Sequence, residues 1–186
     1  MATVPMVITL EEFLKLPEEK PALEYHDGMV DQKVSPQGKH SAIQAALCEL
    51  FNVFSRPRKI ARAFPELRTT FAGASRVPDV AVYRQDRIPL DAASRIANDF
   101  FEPPDLVVEI VSPEQGVNPL VRRCLWYIGH GVTVALLVDP ADESILLFRP
   151  DQIPRSLDAS DLIEIDDIVP GLGLTAQKLF ASLRID

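Results

Sequence analysis

Apolar positions in this chain fall mostly in short runs cut by Pro, Gly and Asp, with a few stretches at helical spacing between them. Thr9 and Glu12 make a capping box that predicts a short helix to about Leu16, ended by Pro17 and Pro21. Leu23–Tyr25 and Met29–Val34 predict a hairpin around Asp27-Gly28, residues that accept the left-handed backbone of a tight turn. Ser35-Pro36-Gln37-Gly38 reads as a loop. Ile43, Leu47, Leu50, Phe51 and Phe54 then recur at helical spacing and predict an amphipathic helix over about 39–55, stopped by Arg56-Pro57. Residues 59–64, 66–72 and 78–83 predict short strands, and 84–103 a long polar loop with a short helix in it.

Residues 105–112 predict an apolar strand, and Asn118 with Pro119 the N-cap and first turn of a helix to about Gly129. Val132–Val138 predicts another buried strand, ending at Asp139-Pro140 and paired with Ser144–Phe148. The tail predicts a strand near 161–165, a Pro-Gly turn and a helix from Thr175; the pattern leaves open whether it is core or an appendage. Strands and helices interleave, which gives an α/β (α+β) class with a mixed sheet and helices against it.

Composition narrows the function. A chain of 186 residues is read as one domain, 1–186, large enough for a full core. No run of apolar residues is long enough for a membrane span, and no signal peptide is apparent. Cys48 and Cys124 lie in apolar helical patterns without metal spacing, which suits reduced core cysteines of a cytoplasmic protein. The net charge of −8 argues against tight non-specific nucleic-acid binding. Charge is uneven, however: residues 56–95 carry 9 bases against 4 acids, whereas 1–55 and 96–186 are acidic. That middle segment reads either as a solvated face or as a phosphate-contacting patch beside an acidic cluster.

The chemistry concentrates in two near-copies of one phrase, Pro78-Asp79-Val80-Ala81-Val82 and Pro104-Asp105-Leu106-Val107-Val108-Glu109-Ile110-Val111. Glu109 interrupts an apolar strand, where an unpaired carboxylate costs several kcal/mol unless a cation or a base meets it. Asp79 and Glu109 side by side would give two hard oxygen donors for a divalent cation. Glu24, before the Asp27-Gly28 turn, is the third candidate ligand, and Asp105 shares the face of Glu109. Each acid also has a structural reading: Glu24 as an exposed turn residue, Asp79 as a cap.

Arg123, on the helix after the Glu109 strand, shares a face with Tyr127 and brings a cation toward the carboxylates or a scissile phosphate. Arg76 is a second candidate phosphate contact, and His40 stands at a helix start as a capping or solvated residue. His26 and His130 read as surface. No Gly-rich phosphate loop, nucleophile elbow, CxxC or HExxH occurs.

The order Leu23-Glu24-Tyr25-His26-Asp27-Gly28, Ser35-Pro36, His40, Arg76-Val77-Pro78-Asp79-Val80-Ala81-Val82, Pro104-Asp105 through Ser112-Pro113, Tyr127, Gly131-Val132 and Val138-Asp139-Pro140 resembles the Uma-two family of endonucleases, in the PD-(D/E)-x-K (restriction-endonuclease-like) superfamily. The resemblance runs from about residue 7 to about 180. It implies a restriction-endonuclease-like central mixed sheet flanked by helices, often in a homodimer, and an acidic site at Glu24, Asp79 and Glu109 with His40 nearby. The superfamily lysine two residues after the second acid is absent, since Val111 stands there. The family lysine of the following helix, one turn before the tyrosine matched by Tyr127, is replaced by Arg123. Arginine keeps the charge but stays protonated and carries a bulkier fork, so it substitutes poorly where a lysine must orient or deprotonate a water.

These readings predict an endonuclease hydrolysing DNA phosphodiesters with Mg2+ (or Mn2+) held by Asp79, Glu109 and Glu24, and Arg123 facing the phosphate. Two alternatives stand beside it: a catalytically weakened or inactive relative that binds nucleic acid or a protein, and a hydrolase of another phosphate ester.

Overall fold

The computed structural model describes residues 8–113 and 115–185. Helix α1 (Leu10–Phe13) opens on the expected capping box of Thr9 and Glu12. The hairpin β1 (Leu23–His26) and β2 (Met29–Gln32) follows, with Asp27 and Gly28 at φ 50° and 80°, the two left-handed positions its turn requires. Helix α2 (Gly38–Arg58) buries Ile43, Leu47 and Phe51 on one face. It runs through Pro57, where the sequence predicts a stop. The ring falls in the last turn, where a lost backbone bond matters least, and the chain leaves through Lys59 at φ 55°.

Strands β3 (Ala61–Pro65), β4 (Thr69–Phe71), β5 (Ala74–Arg76) and β6 (Val80–Arg84) come next, then a 3-10 turn at Gln85–Arg87 within the long polar loop. The strand expected over 66–72 is confined to β4, because the chain turns back at Ala72-Gly73 to form β5. The remaining elements are β7 (Leu106–Ile110), α3 (Val117–Gly129), β8 (Val134–Asp139), β9 (Ser144–Phe148), β10 (Arg155–Leu157) and α4 (Ala176–Phe180). The N-cap of α3 is Gly116 rather than Asn118. Asn118 and Pro119 lie inside the first turn, where proline's missing N–H has no intrahelical partner to lose.

The strands form a six-stranded sheet of order β10-β9-β8-β7-β6-β3 and a four-stranded sheet of order β2-β1-β5-β4. In the larger sheet β7 and β8 run parallel, joined by α3, and the other neighbours are antiparallel. This is the mixed α/β class the sequence predicts; of the second sheet the pattern gives the β1–β2 hairpin but not the three-residue β5 that joins it to β4.

Alternation sorts β7 between two cores. Leu106, Val108 and Ile110 join Val80, Val82, Leu136 and Val138 in the core that α2 and α4 cover. Val107 joins Ala135 and Leu137 against Leu120, Cys124 and Tyr127 of α3. Glu109 has the parity of Val107 and therefore looks toward α3. The tail belongs to the larger core: Ile163, Ile165, Ile168, Val169, Leu172, Leu174, Leu179 and Phe180 are all buried in it. The strand expected at 161–165 is instead an isolated bridge between Leu162 and Thr175, and the tail's regular strand is β10. Cys48 and Cys124 are both free thiols, and among the described residues no helix is long and apolar enough to cross a membrane.

Candidate active site

The site begins where the β6–β7 ladder ends. Val80 pairs with Val108, so continuing the register by one residue sets Asp79 beside Glu109. Because β6 starts only at Val80, the backbone of β7 has a donor left over at Ile110, and Asp79 Oδ2 accepts it at 2.7 Å. Both carboxylates are 3% exposed. Lys33 Nζ lies 2.6 Å from Asp79 Oδ1 and also donates to the Val77 carbonyl at 2.7 Å. His40, on the first turn of α2, places Nε2 3.1 Å from Asp79 Oδ2. Gln44, one turn later, donates to the Asp79 carbonyl at 2.8 Å. His40 is thus a buried neighbour of the acid, not a solvated residue, and its Nδ1 is buried without a partner among the described residues.

Arg123 reaches the same place from α3 and bridges the two sheets. Its Nε donates to Glu109 Oε1 at 2.6 Å, and both terminal nitrogens grip the Glu24 carboxylate in a fork. Tyr127, one turn on, donates its hydroxyl to the same Glu109 oxygen at 2.9 Å. Glu24 Oε1 also accepts the Val77 N–H at 2.6 Å. Glu24 is buried, not an exposed turn residue. It is turned to Arg123, whereas the partners of Glu109 among the described residues fall on Oε1 alone.

These contacts set the charges. Burial pushes Asp79 up, but the His40 bond and the Lys33 charge outweigh it and hold the acid down at about 2. Glu24 is likewise lowered, its burial outweighed by Arg123. Glu109 goes the other way: burial, aided by the nearby Asp79 charge, lifts it despite Arg123. Burial works against the Lys33 ammonium, yet Asp79 and Glu109 raise it above the ordinary lysine value. Lys33 is therefore a fixed cation and not a free base.

Glu24, Lys33, His40, Asp79, Glu109 and Arg123 line a pocket of about 490 Å³. Arg76 enters it from the end of β5 with its guanidinium carbon 4.7 Å from the Trp126 ring centre. His26 is half-buried on its wall, 2.7 Å from Asp31, and His130 is exposed and stacked on Trp126. Asp105 is elsewhere: it sits at the far end of β7 and serves Arg84 and Arg87. The bases of 56–95 do not gather beside the acids. Arg58 covers Phe54, Arg68 meets Glu18, Arg84 and Arg87 meet Asp105, and Arg95 meets Asp91; of the lysines and arginines of the segment only Arg76 lines the pocket. Successive antiparallel strands carry neighbouring arginines to opposite ends of the sheets.

Lys33 is not among the residues that the sequence pattern singles out, although the chain carries a signal for it. The two-residue turn at Asp27-Gly28 fixes the register Glu24 opposite Asp31, and Lys33 follows Asp31 on the same face of the hairpin.

The donor set suits a hard cation in one specific way. Among the described residues no three His, Cys, Asp or Glu side chains converge as a cation cage. Asp79 and Glu109 nevertheless stand side by side, with Glu109 Oε2 outside the Arg123 and Tyr127 bonds, and magnesium requires only one or two protein carboxylates beside water and phosphate oxygens.

The chain belongs to the Uma2 family, described as "Putative restriction endonuclease", which it matches over residues 10–177. It is similar to a solved crystal structure from Anabaena variabilis described as a putative nuclease belonging to DUF820. The two are 40% identical, the match covers 95% of this chain and 99% of that one, and the TM-score is 0.91. A cryo-EM structure of a DrdV–DNA complex shares 14% identity over 75% of this chain and 11% of that one, at a TM-score of 0.41, too low to bear on fold or function. No curated protein matches the chain.

Proposed function

We propose that this protein is a metal-dependent endonuclease that hydrolyses DNA phosphodiester bonds in the Asp79–Glu109 pocket. The observation that carries the reading is the pairing of these two buried carboxylates at one end of the β6–β7 ladder, with the Lys33 ammonium 2.6 Å from Asp79. Membership of a family described as "Putative restriction endonuclease" supports the nuclease class.

Asp79 and Glu109 would hold Mg2+ (or Mn2+), with Asp79 oriented by His40, Lys33 and the Ile110 N–H. When bound, such an ion supplies Lewis-acid polarisation of a phosphate oxygen and a more acidic water. Lys33 keeps its proton, so it serves as a donor that orients the attacking water or stabilises the charge gathering on the phosphate. It thereby occupies the role for which Arg123 is poorly suited. Arg123 holds Glu24 and Glu109 in place, and Glu24 acts through it as a positioning residue instead of a third ligand. A homodimer, as the family resemblance implies, and a cytoplasmic location, which two free cysteines suit, complete the proposal.

A second reading is favoured by the Arg123 fork, which ties up Glu24 and one oxygen of Glu109: the chain binds nucleic acid without cutting it. Cleavage of plasmid and single-stranded DNA with magnesium or manganese, against chelator, separates the two. The nuclease reading expects metal-dependent cleavage in the wild type. In Glu109→Gln it expects loss of both cleavage and calorimetric metal binding, beside a fall in the thermal transition from the broken Arg123 pair. Metal affinity that survives in Glu109→Gln would make Glu109 a structural acid whose role is its pair with Arg123.

A further inference from the structure

The pocket contains four lysine and arginine side chains, Lys33, Arg76, Arg122 and Arg123. Lys33 and Arg123 are neutralised by Asp79, Glu24 and Glu109, and Arg122 is exposed to solvent. Arg76 differs from all three. It is only 8% exposed, no carboxylate among the described residues comes within ion-pair distance of it, and its Nε is buried without a hydrogen-bond partner. Guanidinium remains charged at every physiological pH, so this is a buried cation that no carboxylate among the described residues meets directly.

Its position is built. The guanidinium lies over Trp126. Trp126 in turn is stacked by His130 at 4.5 Å between ring centres and flanked by Phe71 at 5.3 Å and Tyr127 at 5.6 Å. An aromatic face supports the charge of a guanidinium but accepts none of its in-plane N–H groups, which leaves the edge of the fork available. A phosphate oxygen pair matches that edge bidentately.

We infer that Arg76, braced on Trp126, is the residue that grips a backbone phosphodiester of the nucleic-acid strand in this pocket, with Arg122 at the rim. The ligand class rests on the nuclease reading; the site does not depend on cleavage. The phosphate brings the negative charge that Lys33 and Arg123 receive from the protein. A net charge of −8 is then compatible with binding, because the grip is local and does not rely on an extended basic surface.

Trp126 is the only tryptophan of the chain, so its fluorescence reports directly on the Arg76 stack. The probe is a short oligothymidylate, titrated in chelator so that nothing is cut, with affinity read by anisotropy of a labelled strand. The wild type is expected to bind with a saturable change in Trp126 emission. Arg76→Leu is expected to raise Kd about tenfold or more and to lower the slope of log affinity against log salt by about 0.7, the share of one phosphate contact on a single strand. Arg76→Lys, which keeps the charge and loses the fork, is expected to raise Kd about threefold or more. The exposed Arg155→Leu is expected to leave binding unchanged.

Wild-type affinity and salt slope in the Arg76 variants overturn the inference, and so does a wild type that fails to bind the strand. If Arg76→Leu does not fold, the Arg76→Lys Kd decides by the same criterion. Cleavage by the wild type with an Arg76-independent Kd removes the inference and spares the nuclease reading. Arg76-dependent binding without cleavage in any metal does the opposite.

Discussion

Two Pro-Asp strand starts, alike in sequence, end in opposite roles. Asp79 leads into β6 and Asp105 into β7, and each is buried. They occupy equivalent places at opposite ends of the same antiparallel ladder: Asp79 accepts the Ile110 N–H at 2.7 Å, and Asp105 accepts the Arg84 N–H at 2.8 Å. Each carboxylate thus covers a backbone donor that the neighbouring strand has left unpaired. The remaining lone pairs set them apart. Asp105 is closed by Arg84 and Arg87, at 3.0 and 2.8 Å, and lines no described pocket. Asp79 meets a lysine and a histidine and faces the cavity that also takes Glu109. A shared strand-capping motif is a scaffold, and the side chains that reach it from distant elements determine whether it is closed off or faces a pocket.

The sharpest break of this comparison is to neutralise each aspartate in turn. Asp79→Asn is expected to lower metal-dependent cleavage by about 100-fold or more, the scale of losing one group that stabilises transition-state charge. Asp105→Asn is expected to leave the activity of folded protein unchanged. It should reduce stability by about 1–3 kcal/mol, at the low end for a broken buried pair because the Arg84 side chain is 47% exposed. Plasmid cleavage and thermal unfolding of both variants check this, and equal activity loss in both would erase the distinction.

The next effect concerns which base serves Asp79's end. Lys33→Met is expected to abolish cleavage to about the same extent, whereas Arg123→Lys is expected to keep it within about tenfold and to lose about 1 kcal/mol of stability with the fork. Cleavage that survives in Lys33→Met and rises strongly in Arg123→Lys would move the role to position 123.

The smallest effect is in acid. The folded value of Asp79 is about 2 against an ordinary 3.8, so the folded state favours the ionised form. Its contribution to stability is fully present above the ordinary value and is lost as pH falls through about 2. Asp79→Asn removes that contribution, so its Tm should fall less than that of the wild type across this interval. Parallel curves would place the acid sensitivity elsewhere.

Much of this arrangement was legible in the chain. The capping box at Thr9, the Asp27-Gly28 hairpin, the amphipathic α2 and the apolar β7 all follow from local sterics and from periods of two and 3.6 residues. The interrupting carboxylate at Glu109 identified the site for the same kind of reason, since a charge in a buried strand requires a partner. Glu24 joined it as a third candidate acid beside the hairpin turn, and the family order along the chain added His40.

What the linear pattern did not contain was the meeting of distant elements. Lys33 and Glu24 come from a hairpin, Asp79 and Glu109 from the central ladder, His40 from α2 and Arg123 from α3. The burial of the tail against α2 and the dispersal of the 56–95 arginines also required the two sheets to be assembled. Local sequence determined which segments are strands and helices and which face of each is apolar, because those depend on backbone geometry and side-chain periodicity. Tertiary structure alone decided that Asp79 receives a lysine and a histidine and Asp105 two arginines, because ionic partners are selected by proximity in space, across separations the periodicity of a single element does not encode.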